Sequence, residues 1–110
     1  IVAALLDHGA RVDNRDPFGR TALMFAATTR SRPTVKLLLA QKADVNAVDA
    51  GERWTPLMFS AGEGHAEVVK VLLDYGADPG VRDADNDTAL TFALRKNRVR
   101  VVEILRAAMN

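Results

Sequence analysis

One spacing constrains this chain more than any other property of it. Ala10, Ala43 and Ala77 recur at steps of 33 and 34, Asp16, Asp49 and Asp83 follow them, and Thr21, Thr55 and Thr88 recur at 34 and 33. Leu23, Leu57 and Leu90 keep the period, as do Phe25, Phe59 and Phe92, then Leu5, Leu38, Leu72 and Leu105. A unit of that length cannot bury its apolar face alone, so a fixed period of this size implies stacked supersecondary units, a solenoid.

Residues 54–79 carry the unit in its most regular form. The Thr55 hydroxyl is placed to accept from the free amides of a helix start, and Pro56 sits where a missing N–H costs nothing. Gly64 and Gly76 are placed to end two successive helices with positive φ. The unit is helix, turn, helix, loop. The spacing predicts helices over 21–29 and 33–41, 55–62 and 66–75, and 88–95 and 99–108, an all-α fold with loop tips at 16–19, 49–53 and 83–86. Pro33 fits only the first turn of its helix. The middle loop is one residue longer than the others, with the extra residue at or near Glu52.

With these motifs assembled, the chain resembles the ankyrin-repeat family over essentially its whole length. The family's Thr-Pro-Leu-His signature stands here as Thr55-Pro56-Leu57-Met58, with weaker forms at Thr21-Ala22-Leu23-Met24 and Thr88-Ala89-Leu90-Thr91. Gly64-His65 matches its turn, and Gly76-Ala77-Asp78, Gly9-Ala10 and Ala43-Asp44 match the segment after its second helix. The resemblance implies stacked helix-turn-helix units joined by β-hairpin-like loops, in one domain: a partial repeat at 1–15 and repeats at about 16–48, 49–82 and 83–110. Arg106 stands where Leu39 and Leu73 stand, which marks the last repeat as a C-terminal cap. The leading repeat lacks its first helix, so the parent protein is expected to continue upstream. Met24 and Met58 replace the family's His, which leaves its usual polar link between loops in question.

Small residues at Ala26, Ala27, Ser60, Ala61 and Ala93 let the first helices approach closely. Leu37, Leu38, Leu39, Val71, Leu72 and Leu73 are expected to form the buried stripe of the second helices. The recurring Phe25, Phe59 and Phe92 are expected in the core.

Fifteen basic and 14 acidic residues leave a net charge of +1, which steers the chain to neither nucleic acid nor an anionic membrane. The lack of cysteine excludes disulfides and thiolate chemistry and fits a cytoplasmic setting. No apolar run reaches membrane-spanning length. No catalytic constellation is present: neither His8 nor His65 has a partner at ligand spacing, and no nucleophile or phosphate-loop motif occurs. Asp83-Ala84-Asp85-Asn86-Asp87 begins like a calcium loop, but Thr88 stands where that loop needs Gly and Leu94 where it needs Glu, so a solvated loop tip is the better reading. The basic run Arg95 to Arg100 has no interleaved aromatic platform for bases. No metal, cofactor or nucleic acid is expected.

Phe18 and Trp54 fall outside the repeated apolar stripe, just before the first helices. The family binds partners on the concave face formed by loop tips and first helices, and exposed aromatics are typical anchors of binding energy. The expected surface is Pro17, Phe18 and Arg20, then Glu52, Arg53 and Trp54, then Asp85 and Asp87, continued by Thr29, Glu63, Arg95 and Lys96. An exposed Trp54 should be removable with a change of only a few degrees in melting temperature. The expected function is monomeric, non-catalytic binding of another protein; a regulatory or targeting segment of a larger enzyme or channel and a structural spacer are the alternatives.

Overall fold

Each first helix begins on its threonine. A computed structural model of the chain describes residues 19–29, 31–41 and 43–109. In it, the hydroxyls of Thr21, Thr55 and Thr88 accept from the amides of Met24, Met58 and Thr91 at 3.3, 3.2 and 3.4 Å. The side chains at those third positions reach back in return. The Sδ atoms of Met24 and Met58 accept from the Thr21 and Thr55 amides at 3.4 Å, and the Thr91 hydroxyl accepts from the Thr88 amide at 3.2 Å. The residues in the place of the family's His thus close a capping box, with a thioether as a weak acceptor in two of the three.

The described helices are α1 (Ala22–Ala27), α2 (Arg32–Ala40), α3 (Pro56–Glu63), α4 (Ala66–Asp74), α5 (Ala89–Arg95) and α6 (Val99–Met109). They match the expected all-α solenoid, and no strand occurs among the described residues. Pro33 lies in the first turn of α2. Gly64 (φ 77°) ends α3, with His65 N–H donating to the Ser60 carbonyl at 3.1 Å and Gly64 N–H to that of Ala61 at 3.2 Å. Asn97 (φ 60°) does the same after α5, where Arg98 N–H reaches the Ala93 carbonyl at 2.8 Å. Asparagine is the residue after glycine that best tolerates this region. Arg30 and Lys42, which stand where Gly64 and Gly76 stand in the second repeat, and the leading half-repeat lie outside the described residues.

Two layers result. α1, α3 and α5 pack side by side as the inner layer, α2, α4 and α6 as the outer, and each pair within a repeat packs across them. Ala26, Ala27, Ser60, Ala61 and Ala93 are all buried, as close approach of the inner helices requires. Val35, Leu38, Val69, Leu72 and Leu105 are fully buried in one continuous core. Two expectations fail. Leu37 is 37% exposed and Leu73 only half-buried, because helices with three consecutive apolar residues, 37–39 and 71–73, cannot turn all three inward. Phe25 is 47% exposed and Phe59 and Phe92 are half-buried. These rings project from the first helices beside, not along, the stripe of small residues.

Polar side chains tie neighbouring repeats together. Asn46 donates through Nδ2 to the Gly76 carbonyl (3.3 Å) and accepts at Oδ1 from the Asp78 amide (2.8 Å). His65 Nε2–H donates to the Thr28 carbonyl at 3.0 Å, a structural use of that ring. Beside His65, Glu67 lies between Arg32, Lys70 and Arg100 at 3.8, 4.0 and 3.0 Å; these charges are about half-exposed, so each pair contributes at most about 1 kcal/mol. Replacing Asn46 by alanine removes two bonds between repeats and is expected to cost about 1 kcal/mol. Thermal unfolding followed by circular dichroism would register this as a fall of about 4–8 °C; an unchanged midpoint would show that water replaces the amide without loss.

Candidate functional site

The loops before the first helices position the site. Each described loop closes on an aspartate: Asp49 N–H donates to the Trp54 carbonyl (3.1 Å) and its Oδ1 accepts from the Trp54 amide (2.9 Å). Asp83 N–H donates to the Asp87 carbonyl (2.8 Å), and its Oδ1 accepts from the amides of Asp85 (2.9 Å) and Asp87 (2.8 Å). The tips turn through left-handed residues at equivalent positions, Gly19 (φ 75°), Arg53 (φ 60°) and Asn86 (φ 68°). Neighbouring loops lie close. A Cβ on Gly19 would come within 2.7 Å of Ala50, and the Glu52 carbonyl accepts from the Ala84 amide at 2.9 Å. The extra residue of the middle loop therefore sits against the next hairpin.

Trp54 differs from its sequence expectation. It is half-buried, its ring edge-on to both Phe59 and Phe92 with centroids 5.4 and 5.5 Å apart, and its Nε1–H donates to Asp83 Oδ2 at 2.9 Å. Far from lacking a packing role, it joins the second repeat to the third. Arg20 occupies the same place one repeat earlier and points the same way, with its guanidinium carbon 5.9 Å from the centre of the Phe59 ring and its Nε 3.9 Å from Asp49 Oδ2, an ion pair too long for a hydrogen bond. The position before the capping threonine of the first two repeats thus points to the aspartate and the phenylalanine of the next one.

Between the second and third repeats these side chains line a groove of about 500 Å³. Trp54, Phe59, Phe92 and Met58 form its apolar part, and Glu63, Arg95, Lys96 and Arg98 lie toward the turn end. Arg95 holds Asp87 at 3.0 Å, and Arg98 donates through Nε to the Gly62 carbonyl at 3.2 Å, its side chain lying over Gly64. Of the expected surface, the groove gathers Trp54, Glu63, Arg95 and Lys96. Glu52, Arg53 and Asp85 stay exposed at the hairpin tips, and Asp87 is held by its ion pair. Thr29 is exposed at the turn of the first repeat, its hydroxyl donating to the Ala26 carbonyl at 2.7 Å. Pro17 and Phe18 lie outside the described residues. Phe59, Phe92 and Arg98 were not expected here; the missed signal was that each Phe stands beside a buried small residue and cannot share its direction.

A second hollow, of about 280 Å³, lies among Arg32, His65, Glu67 and Arg100, where Glu67 already engages the cations. The acidic trio Asp83, Asp85 and Asp87 comes within 4.8 Å, but both oxygens of Asp83 are occupied by N–H donors and Asp87 by Arg95. Among the described residues no helix is long and apolar enough to cross a membrane.

Comparison with known proteins gives a consistent picture. A family model described as ankyrin repeats in three copies matches residues 1–49 and 33–110. The chain is similar to the ankyrin repeat and SAM domain-containing protein 6 of Rattus norvegicus, 40% identical over 79 residues that make up 72% of this chain and 9% of that protein. It is 32% identical over 109 residues to the ankyrin repeat protein nuc-2 of Neurospora crassa, covering 98% of this chain and 10% of the relative. A putative E3 ubiquitin-protein ligase of Arabidopsis thaliana, XBAT34, is 38% identical over 107 residues, which cover 93% of this chain and 28% of that protein. The chain thus spans well under a third of the length of each of these relatives. Period, capping threonines, two-layered stack and family match agree, and the chain belongs to the ankyrin-repeat family.

Proposed function

We propose that this chain is a non-catalytic protein-interaction module that takes its partner on the hollow side of the stack. Ankyrin repeats are as a class modules for protein–protein interaction. The observation that carries the choice of face is the groove of Trp54, Phe59 and Phe92, half-buried rings bordered by Glu63, Arg95 and Lys96. Aromatic rings that keep part of their surface accessible beside charged groups are typical anchors of binding energy. The hairpin tips with Glu52, Arg53, Asp85 and Asp87 extend this surface, and Pro17, Phe18, Arg20 and Thr29 continue it toward the first repeat. A monomer in the cytoplasm belongs to the same reading, which the lack of cysteine suits.

Arg53 supports it independently. Its equivalents at the other tips are Gly19 and Asn86, residues suited to positive φ, whereas an arginine there carries a backbone cost of about 1–2 kcal/mol. Its side chain is exposed and makes no hydrogen bond or ion pair among the described residues, so the strain stabilises nothing within the fold. Replacing Arg53 by glycine is expected to raise stability by up to about 1 kcal/mol, the relief being partly offset by glycine's freedom in the unfolded chain. The same change should weaken the partner at least about threefold. Equal affinity by calorimetry would remove Arg53 from the interface.

The test is affinity capture from the source cells with the wild-type chain, Arg53→Gly and Lys96→Glu. A protein retained by the wild type and depleted with both variants supports the hollow face; one retained equally by all three places the surface elsewhere. A second reading, a regulatory or targeting segment of a larger enzyme, is favoured by one observation: the chain spans only a small part of its relatives, and one of them is named as a putative ubiquitin ligase. No retained protein at all would favour a structural spacer.

A further inference from the structure

The groove is not electrically neutral along its length. At its turn end Arg95, Lys96 and Arg98 line the groove with Glu63 as the one acid among its described lining residues, and Arg95 is already paired with Asp87. Lys96 is exposed and has no partner among the described residues, and only the Nε of Arg98 is engaged, by a neutral carbonyl. At the hairpin end the exposed charges are of both signs, Glu52 and Asp85 beside Arg53. In a chain with nearly equal numbers of acids and bases, this leaves a local excess of positive charge beside an apolar hollow.

We propose that the groove takes an acidic segment of a partner protein, with one large apolar side chain seated on Phe59, Phe92 and Trp54 and carboxylates directed to Lys96 and Arg98 at the turn end. The proposal rests on the hollow face being the partner surface and adds the chemistry of what binds there. The groove, about 500 Å³ in all, has room for a short extended segment with a large apolar side chain, not for a folded domain. Carboxylates suit the two cations because a guanidinium with free terminal N–H groups and an unpaired ammonium are both acceptor-seeking. A single-stranded nucleic acid would also supply anions and flat groups. It fits less well, because the rings stand edge-on to one another at 79° and 74° with the indole pinned by Asp83, so no stacked platform is offered to successive bases.

The experiment selects twelve-residue peptides from a displayed random library on the wild-type chain, then measures the enriched peptides, fluorescently labelled, by anisotropy. The wild type and Lys96→Glu are compared at low and high salt, with a labelled oligouridylate as a second probe. Lys96 is exposed at the C-cap of α5 and its side chain makes no hydrogen bond or ion pair among the described residues, so equal melting temperatures are expected and checked first. Expected are peptides rich in Asp and Glu beside a large apolar residue. Lys96→Glu should weaken them about tenfold at low salt and less as salt screens the charges, and Trp54, the sole tryptophan, should report binding through its emission. Neutral or basic peptides that still perturb Trp54 would overturn the acidic chemistry and leave the hollow face intact. Peptides indifferent to Lys96→Glu and silent at Trp54 would overturn both. Oligouridylate binding as tight as the peptides, or no enrichment at all, also counts against the proposal.

Discussion

Truncating Leu72 to alanine is expected to remove about 2–5 kcal/mol of unfolding free energy, a large part of the total that a domain of this size possesses. Leu72 is fully buried in α4, the middle helix of the outer layer, with α2 on one side and α6 on the other. A cavity there borders both interfaces between repeats, and the backbone on either side of it is fixed. The Leu72 carbonyl accepts from Tyr75 at 3.2 Å and from Ala77 at 3.0 Å to close the helix end, so the chain is poorly placed to collapse into the space. Leu73, the next residue, is only half-buried, and its truncation should cost less than half as much. In a solenoid, stability is close to a sum of unit and neighbour terms. Urea unfolding of Leu72→Ala should therefore show a lowered midpoint, and a reduced slope would mean that the end repeats have begun to unfold separately. An unchanged midpoint would reject the packing described here.

The fold was legible because its determinants are local and repeated. Thr21, Thr55 and Thr88 cap helices by hydrogen bonds within a single turn, Gly64 and Gly76 end them by a property of their own backbone, and the small residues mark the inner layer whatever stands opposite. The candidate site was legible only in part, because its determinants lie between repeats. Asp83 Oδ2 is reached by a residue 29 positions earlier, and nothing near either residue in sequence announces that bond. The period did contain the clue: Arg20 and Trp54 each precede a threonine and each stand 29 positions before an aspartate, Asp49 or Asp83. Two side chains as unlike as arginine and tryptophan conceal a shared position, because what they share is a reach and an N–H donor. The Arg95–Arg98 run likewise contains no aromatic residue, yet Phe92 one turn earlier on the same helix, with Phe59 and Trp54 from the preceding repeat, joins it in one groove.

The consequence is sharpest at Trp54. A purely exposed anchor would be removable at little cost; the observed side chain is not. Alanine at this position loses two edge-to-face ring contacts and leaves the buried Asp83, 7% exposed, without its donor at Oδ2. The expected cost is about 3 kcal/mol, at the low end for buried aromatic truncations because Trp54 is only half-buried. For a chain of this length that corresponds to a fall in melting temperature on the order of 10–20 °C. Phenylalanine would keep a ring but not the N–H donor, and should cost about 1–2 kcal/mol. The gap between the two variants measures the ring contacts, and a double-mutant cycle with Phe92→Leu should return a coupling of about 0.5–1.5 kcal/mol for that edge-to-face pair. Loss of partner binding in Trp54→Ala would thus report two things at once, a missing contact and a loosened joint between the second and third repeats. Lys96→Glu and Arg53→Gly separate them, because neither side chain supports the fold. A Trp54→Ala chain that melts within a few degrees of the wild type would show that the indole's bond to Asp83 adds nothing in solution, and would make Trp54 an anchor for the partner alone.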